Sequence, residues 1–286
     1  MQTSRRAKRV RSKAKATWSR SHVSDGVIEI KCRGWSSFVE FLNKYVVDTT
    51  NYIWRGQRCS DWQLIASLDR ILAKIGKRDS SEIHKQLLDR FKLAVRGRLE
   101  RAARPESENE WWALGQHFGL ATPLLDWTSS PFIAAYFAFN DSAEPQTQHR
   151  VVYGLSATMV SRKSKSLSDS GEPTQAMVFV SPLTDDNPRL LHQRGLFTRA
   201  PSGTDVESWV RQHFQGRTTH PWILIKLIIP DSSRNMVLRS LERMAVSGLE
   251  LFPDISGASL YCNLSLEIDD YCQKLADKGV FESFTL

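Results

Sequence analysis

The sequence predicts an α+β fold. Short β-type runs occur at irregular spacing, and amphipathic helical patterns and long polar segments separate them. A doubly wound sheet would instead show strands and helices in regular alternation. The chain has 286 residues, of which 41% are hydrophobic and 24% charged, so it can bury a large core as ordinary soluble globular proteins do.

The positive charge is concentrated at the N-terminus. The formal net charge is +8, and eight basic residues without an acidic one among them fall between Arg5 and Arg20. Without them the remainder is close to neutral, so residues 1–26 are predicted to be a basic, disordered arm and residues 27–286 the folded domain. The arm could bind nucleic-acid phosphates through counterion release, or it could be a solvated terminus or an addressing signal.

The composition and the motifs that are missing also indicate where the protein is located and which cofactors it does not bind. No apolar run approaches the ~20 residues that span a bilayer, and no apolar segment follows the basic N-terminus, so we expect a cytoplasmic protein without membrane contact. The cysteines form no CxxC pair and fit no zinc spacing, which favours reduced thiols and no metal site. The sequence also lacks GxxxxGK[ST], HExxH and GxSxG, the motifs of P-loop proteins, zinc proteases and serine hydrolases.

Local patterns predict the elements of the N-terminal half. They are an edge strand at Val27–Ile30, a helix at Trp35–Tyr45 and a β-type run at Tyr52–Trp54. Arg55 and Gly56 are expected to end that run. A capping-box pattern at residues 79–82 predicts a long helix with a basic outer face, and an acidic loop is expected at residues 106–110.

The centre of the chain, residues 111–139, is interpreted as strand, polar turn and buried helix. Ser130 is a natural N-cap and Pro131 a natural first helical residue. The helix that follows is apolar on all sides, which predicts burial. Asp126, Thr128 and Ser129 precede it as a polar cluster. A cluster held between a strand and a buried helix is rigidly placed, as a binding or catalytic site requires.

The C-terminal half adds further strands and helices. We expect core strands at residues 150–155, 176–181 and 222–229, a mobile loop at 161–174, and helices at 204–214, 231–244 and from Ser256 onward. Loops beside a site often carry substrate contacts, which gives the predicted loop a possible role. Gly248 is expected to close the helix that Asp231 caps.

Two spaced motifs resemble those of the FRG domain, which is named for its Phe/Tyr-Arg-Gly element. The first is Tyr52–Gln57, and the second comprises His117–Leu120 and Leu124–Pro131. Ala121 and Pro123 depart from the Pro and Arg that are usual in that family. Further matches, including Arg189, Gln193, Gly195 and Phe197, extend the resemblance over most of residues 35–260.

The order of these motifs is similar to the Arg–Ser–Glu class of ADP-ribosyltransferases. The resemblance implies a split β-sandwich with surrounding helices and NAD as substrate. It implies that six residues bind NAD, namely Arg55, Gly56, His117, Asp126, Thr128 and Ser129. Either Gln193 or Glu250 would be the third catalytic member. Glu250 precedes an apolar run that ends in Pro253, as the third motif of those enzymes does.

Three functions remain open on the sequence alone. The resemblance implies an NAD-dependent ADP-ribosyltransferase or NAD glycohydrolase, acting as a toxin or antiphage effector on a protein target. The alternatives are a non-catalytic module that binds a nucleotide or nucleic acid, and a nucleic-acid-binding protein that acts through its basic arm. Local roles are possible as well, since the Thr-Ser-Ser sequence can serve only as a helix cap and Asp126 can pair with Arg55.

Overall fold

The computed structural model describes residues 17–49, 51–76, 81–99, 105–181 and 188–279. The strands are β1 Trp18–Ser24, β2 Val27–Cys32, β3 Tyr52–Gln57, β4 Leu125–Thr128, β5 His149–Ser156, β6 Val178–Val180, β7 Gly195–Arg199 and β8 Leu224–Pro230. The helices are α1 Trp35–Tyr45, α2 Ser67–Lys74, α3 Ser81–Ala94, α4 Glu108–His117, α5 Pro131–Phe139, α6 Ala157–Asp169, α7 Pro188–His192, α8 Val206–His213, α9 Arg234–Glu242, α10 Gly248–Leu251 and α11 Ile255–Asp277.

The strands form one eight-stranded sheet in the order β1-β2-β8-β5-β3-β4-β7-β6. Strands β2 and β8 are parallel, and the other described pairs are antiparallel. This mixed architecture confirms the predicted α+β class. Among the described helices, none is both long and apolar enough to cross a membrane.

Helices cover both faces of the sheet. Their position explains why the sequence of strand β8 is continuously apolar. Ile225, Leu227 and Ile229 belong to a core cluster with α1, α5 and α9. Leu224 and Ile228 belong to a second cluster with α6 and α8. Because alternate side chains of a strand point to opposite faces, a strand between two helical layers needs apolar residues at nearly every position.

Helix α5 lies unusually close to strand β3. A Cβ atom added to Gly56 would stand 1.9 Å from the carbonyl oxygen of Ala134 and 2.6 Å from the amide nitrogen of Ala138. Ala134 and Ala138 are fully buried. Small residues on both sides of the contact let the two backbones meet, so the helix that follows the polar cluster is held directly against the strand that carries Arg55.

Two arginines hold the C-terminal end of α5. Arg150 is fully buried and donates to the carbonyl oxygens of Ala138, Asp141 and Ala143, and its Nε donates to Asp231. Arg234 donates to the carbonyl oxygens at residues 139, 140 and 141. The last carbonyl groups of a helix lack partners within the helix, so these cations satisfy them and complement the helix dipole.

The predicted basic arm is partly folded. Residues 18–24 form strand β1, which pairs with β2, and the Trp18 ring packs edge-on against Phe41 and Tyr45. Arg20 lies over the Trp222 ring, with its guanidinium carbon 5.4 Å from the ring centroid. The boundary predicted at residue 26 is therefore wrong. The other basic residues of the arm lie at positions 1–16, outside the described residues.

Several local predictions were wrong because neighbouring chain segments decide the conformation. Strand β2 is not an edge strand, since β1 covers it. Arg55 and Gly56 lie within β3 rather than ending it. The predicted acidic loop at residues 106–110 begins α4, with Ser107 and Glu110 forming a capping box, so the segment from residue 111 is helical and not a strand. The predicted mobile loop at residues 161–174 is largely α6.

The C-terminal half also differs in detail. The last helix is capped by Asp254 instead of Ser256, and Gly248 begins α10 instead of closing the preceding helix. The segment predicted as a core strand at residues 176–181 is β6 at the edge of the sheet. The capping box predicted at residues 79–82 lies partly outside the described residues. Helix α5, with Ser130 as its N-cap, and strands β5 and β8 are as predicted.

Candidate functional site: a cleft where the sheet opens

The sheet opens between β3 and β4. Strand β3 pairs with β5 along its whole length, but with β4 only through Trp54 and Thr128. Strand β4 continues to pair with β7. The two strands therefore separate immediately after Trp54, and the side chain of Arg55 bridges the gap to Asp126. Most of the predicted site residues lie around this opening.

Arg55 is mostly buried but only partly paired. Its Nη1 donates to the carbonyl oxygen of Asp126 at 2.9 Å and lies 3.5 Å from the Asp126 carboxylate oxygen Oδ2. Its Nε is buried and has no hydrogen-bond partner among the described residues. Burial lowers the pKa of Arg55 from its usual value, and the carboxylate of Asp126 opposes that shift. An arginine has a pKa far above neutrality, so it stays cationic, with a donor left for a ligand.

Asp126 is held from two sides and still exposed. Its Oδ1 accepts a hydrogen bond of 2.5 Å from Gln116 Nε2, while Arg55 approaches Oδ2. Gln116 in turn accepts from the hydroxyl of Thr122. The Asp126 side chain remains 59% exposed, so this fixed carboxylate faces the opening. Sequence analysis missed Gln116, for which a polar residue one position before His117 was the only signal.

The three hydroxyl residues after Trp127 have different roles. Ser130 Oγ accepts from the Ile133 amide and is the N-cap of α5. Thr128 is buried, and its Oγ1 accepts from the Ser130 amide at 3.2 Å. Ser129 is exposed, and its amide donates to the Arg194 carbonyl oxygen. The cap therefore belongs to Ser130, and of the two predicted NAD-binding hydroxyls only Thr128 lines the cleft.

Two adjoining cavities occupy the opening. The inner pocket has a volume of about 380 Å³ and is lined by Arg55, Gly56, Thr128, Phe137 and Phe252, among others. The outer pocket has about 190 Å³ and is lined by residues that include His117 and Arg189. Asp126, Trp127, Gln193 and Phe252 line both pockets. Six of the eight predicted site residues line these two pockets, and Ser129 and Glu250 do not, so most of the sequence motifs converge in space.

Gln193 and His117 lie on the side of the cleft formed by α7 and α4. Gln193 Nε2 donates to the Leu251 carbonyl oxygen at 3.2 Å. Burial and the positive charge of Arg189 lower the pKa of His117, which favours the neutral imidazole. Arg189 pairs with Asp254 and lies over the Phe252 ring, 5.5 Å from its centroid. These contacts tie α7 to the start of α11 at the mouth of the outer pocket.

Glu250 does not lie on the walls of either pocket. It is in helix α10, where its Oε2 accepts from the backbone amide and the hydroxyl of Ser247 in a capping box. The strand expected after Glu250 is absent, since residues 248–251 are helical. The pattern of a glutamate before an apolar run was therefore misinterpreted, because the same residues also suit a short amphipathic helix.

A third cavity adjoins Arg55 on its other side. This arginine pocket, of about 540 Å³, is lined by Arg55, Arg58, Arg70, Trp62 and Gln57, among others. Gly56 and Phe137 line both it and the inner pocket. Within the described residues, no cluster of three or more His, Cys, Asp or Glu side chains could hold a metal ion. The chemistry of the three pockets is that of cationic and aromatic groups with two carboxylates, Asp126 in the inner and outer pockets and Asp141 in the arginine pocket.

Comparison with known proteins identifies one segment. Residues 50–147 match the family model of the FRG domain. The match supports the FRG domain identification. It covers β3, β4 and α5, and so Arg55, Gly56, His117, Asp126, Thr128 and Ser129, but not Gln193 or Glu250. It is also narrower than the resemblance predicted over residues 35–260. No curated protein and no solved structure matches the chain.

Proposed function

We propose that the cleft of this FRG domain binds NAD and that the protein uses it as substrate, as an ADP-ribosyltransferase or NAD glycohydrolase. One observation carries the proposal: Arg55, with a free buried Nε, stands between two cavities at the opening of the sheet. A guanidinium can bind a diphosphate with two parallel hydrogen bonds. A dinucleotide consists of two nucleosides joined by a diphosphate, so its centre matches this arginine.

The inner pocket suits the nicotinamide half of NAD. In the proposed reaction the bond between nicotinamide and ribose breaks, and its electron pair leaves with nicotinamide. The ribose carbon acquires oxocarbenium character, as in glycoside hydrolysis, and a nearby carboxylate stabilises that positive charge. Asp126 is the carboxylate on this wall. Water or an acceptor group then adds to the ribose carbon and loses its proton to Asp126, whose exposed side chain returns it to solvent.

This assignment changes the predicted catalytic set. Asp126 takes the role that the resemblance gave to Glu250, because Glu250 caps α10 away from the pocket walls. Gln193 keeps its predicted place beside the reacting group, since it lines both the inner and the outer pocket. Thr128 also lines the inner pocket and supplies a hydroxyl for the nicotinamide ribose.

Incubation with NAD labelled in its adenylate half tests the proposal. Release of nicotinamide and transfer of label to protein, DNA, RNA or water are followed, which also identifies the acceptor and tests the effector role. Asp126→Asn should abolish nicotinamide release while retaining NAD binding. Arg55→Lys keeps the charge but loses the planar fork, and should weaken NAD binding by about 1–3 kcal/mol.

A matched control is Arg199→Lys. Arg199 is also a largely buried strand arginine paired with a carboxylate, Glu108, at 2.8 Å, but it does not line the three pockets. It should leave NAD binding unchanged. If Arg55→Lys and Asp126→Asn both behave like this control in a protein that releases nicotinamide, the reaction takes place elsewhere.

One observation favours a second function, a nucleotide-binding module without turnover. The glutamate that the resemblance expects in catalysis is engaged in a helix cap. A protein that binds NAD with a 1:1 stoichiometry and releases no nicotinamide would have this function. In that case Asp126→Asn should change NAD affinity only slightly, because no oxocarbenium charge develops for the carboxylate to stabilise.

A further inference from the structure

The arginine pocket has the composition of a nucleotide subsite. Arg55, Arg58 and Arg70 contribute cationic donors to its walls, and the indole of Trp62 is 46% exposed. The guanidinium carbon of Arg58 lies 5.0 Å from the centroid of the Trp62 ring. Phosphate groups bind arginine donors, and nucleobases stack on exposed aromatic rings. The two kinds of group therefore occur side by side in one cavity.

Besides Arg55 Nε, two buried polar atoms of residues that line this pocket lack partners among the described residues. Arg58 donates through Nη1 to Asp141 at 2.6 Å, but its buried Nε has no hydrogen-bond partner within the described part of the chain. Gln57 donates through Nε2 to the Gln63 carbonyl oxygen, while its buried Oε1 likewise accepts nothing. Buried polar groups are normally paired. Here one free donor and one free acceptor border the same cavity, as a ligand with a phosphate and an amino group would require.

The position of the pocket indicates which nucleotide it takes. Arg55 and Gly56 separate it from the inner pocket, and both line the two cavities. We propose that the arginine pocket binds the adenosine monophosphate half of NAD, with the adenine on Trp62 and its phosphate on Arg55 and Arg58. The adenine amino group would donate to Gln57 Oε1. This inference rests on the proposed function, which places the nicotinamide half in the inner pocket.

Calorimetric titration of the full-length protein with AMP, nicotinamide mononucleotide and NAD tests this assignment. Trp62→Ala should weaken AMP and NAD binding about ten-fold, because a stacking partner is lost, and should leave binding of nicotinamide mononucleotide unchanged. Arg58→Lys keeps the charge but removes the Nε donor, and should show the same selectivity. An equal loss for all three ligands, or no loss for AMP, would overturn the proposal.

Two control variants match the test variants closely. Trp111 also has a cation above its ring, Lys92 at 5.8 Å, and lines a separate cavity, so Trp111→Ala tests whether any such tryptophan binds AMP. Arg199 is 29% exposed and Arg58 28%, and each pairs with one carboxylate, so Arg199→Lys controls for loss of an ion pair. Both controls should retain wild-type affinity for AMP, and thermal melting confirms that each variant is folded.

The outcomes separate this subsite from the proposed function. AMP binding that is lost in Trp62→Ala, together with absent nicotinamide release, supports the subsite and refutes the enzyme. Nicotinamide release from NAD that has the same KM in wild type and Trp62→Ala supports the enzyme and overturns the subsite. A wild-type protein that does not bind AMP at millimolar concentration also overturns the subsite.

Discussion

At the scale of single residues, the surroundings of each carboxylate decide what it can do. Asp126 is held by Gln116 and Arg55 and faces the inner and outer pockets. Glu250, the other carboxylate among the predicted site residues, accepts hydrogen bonds from the backbone amide and the hydroxyl of Ser247. Because Glu250 caps α10 and does not line either pocket, whereas Asp126 lines both, we expect the two carboxylates to have different roles.

Removing the carboxylate of Glu250 should therefore affect stability and not binding. Glu250→Ala loses half of the capping box and should lower the free energy of unfolding by about 1 kcal/mol. Glu250→Gln, which can still accept the hydrogen bonds, should be close to wild type. Chemical denaturation and NAD titration of both variants measure this. Loss of nicotinamide release in Glu250→Gln at unchanged stability would restore Glu250 to the catalytic site.

Gly56 is explained by packing rather than by a ligand. In Gly56→Ala the new methyl group would meet the Ala134 carbonyl oxygen, which must move together with α5. We expect a loss of about 3 kcal/mol in unfolding free energy, the upper range for overpacking. Gly34→Ala is the control, because its nearest contact is the Ser233 hydroxyl at 3.3 Å, a side chain that can rotate. A stable Gly56→Ala protein that fails to bind NAD would indicate a ligand role.

At the scale of elements, two contacts position the helices around the cleft. Arg150 and Arg234 hold the C-terminal end of α5, whose other end begins beside Thr128. Arg189 of α7 pairs with Asp254, the N-cap of α11, and also contacts Ser256. The first contact is buried and the second is exposed. They should therefore differ in energy and in dependence on pH.

Arg150 is the stronger of the two arginine anchors of α5. Arg150→Met leaves the Asp231 carboxylate, the buried Ala138 carbonyl and two partly buried carbonyl groups without their donor, and should cost about 3–5 kcal/mol. Arg234 is 11% exposed and pairs with the half-exposed Glu267, so water can replace part of its contacts and Arg234→Met should cost less. Urea denaturation of both variants compares them. An equal loss would show that burial does not set the difference.

The contact between α7 and α11 should weaken in acid. Hydrogen bonds from Ser256 and Arg189 lower the pKa of Asp254 to about 2. The unfolded-state pKa is roughly 3.9, so the charged carboxylate contributes stability above that pH and loses it as the pH falls toward 2. The stability difference between wild type and Asp254→Asn should be constant near neutral pH and shrink between pH 4 and pH 2. A difference that does not vary with pH would exclude the ionised carboxylate as its source.

At the scale of the whole molecule, the sheet joins parts of the chain that are distant in sequence. Strand β8, near the C-terminus, lies between β2 and β5, and β1 extends the sheet beyond β2. The FRG match at residues 50–147 thus contributes β3, β4 and α5 to a sheet that other segments complete. Residues outside the match, among them Gln193, supply the rest of the cleft.

Two deletions of the N-terminus should distinguish the effect of its positive charge on binding from the effect of strand β1 on stability. Deletion of residues 1–26 removes β1 and the Trp18 ring from Phe41 and Tyr45, so its melting temperature should be several degrees below that of a protein lacking residues 1–16. Equal melting temperatures would mean that β1 adds no stability. If the basic arm binds nucleic acid, the shorter deletion removes that binding, and the wild-type affinity falls steeply with added salt.

Elements with local signals could be predicted from the amino-acid sequence alone. Helix α5 was predicted with its N-cap because Ser130, Pro131 and an apolar helix are adjacent in the chain. Strands β5 and β8 were predicted because apolar runs buried between two layers are recognisable without their neighbours. The two motifs that carry Arg55 and the pair Asp126 and Thr128 could be recognised because each is a run of adjacent residues, and both lie within the family match at residues 50–147.

Which of these residues share a cavity depends on contacts between distant parts of the chain, and local patterns do not encode those contacts. The opening between β3 and β4 depends on pairing between strands about seventy residues apart, as in the Trp54–Thr128 pair, and no local pattern encodes where that pairing stops. Glu250 was misplaced because a short capped helix and a strand can use the same residue pattern. Trp62 and Arg58 were not predicted as site residues, because neither belongs to a recognisable motif. Their place in a pocket is visible only once the fold brings them beside Arg55.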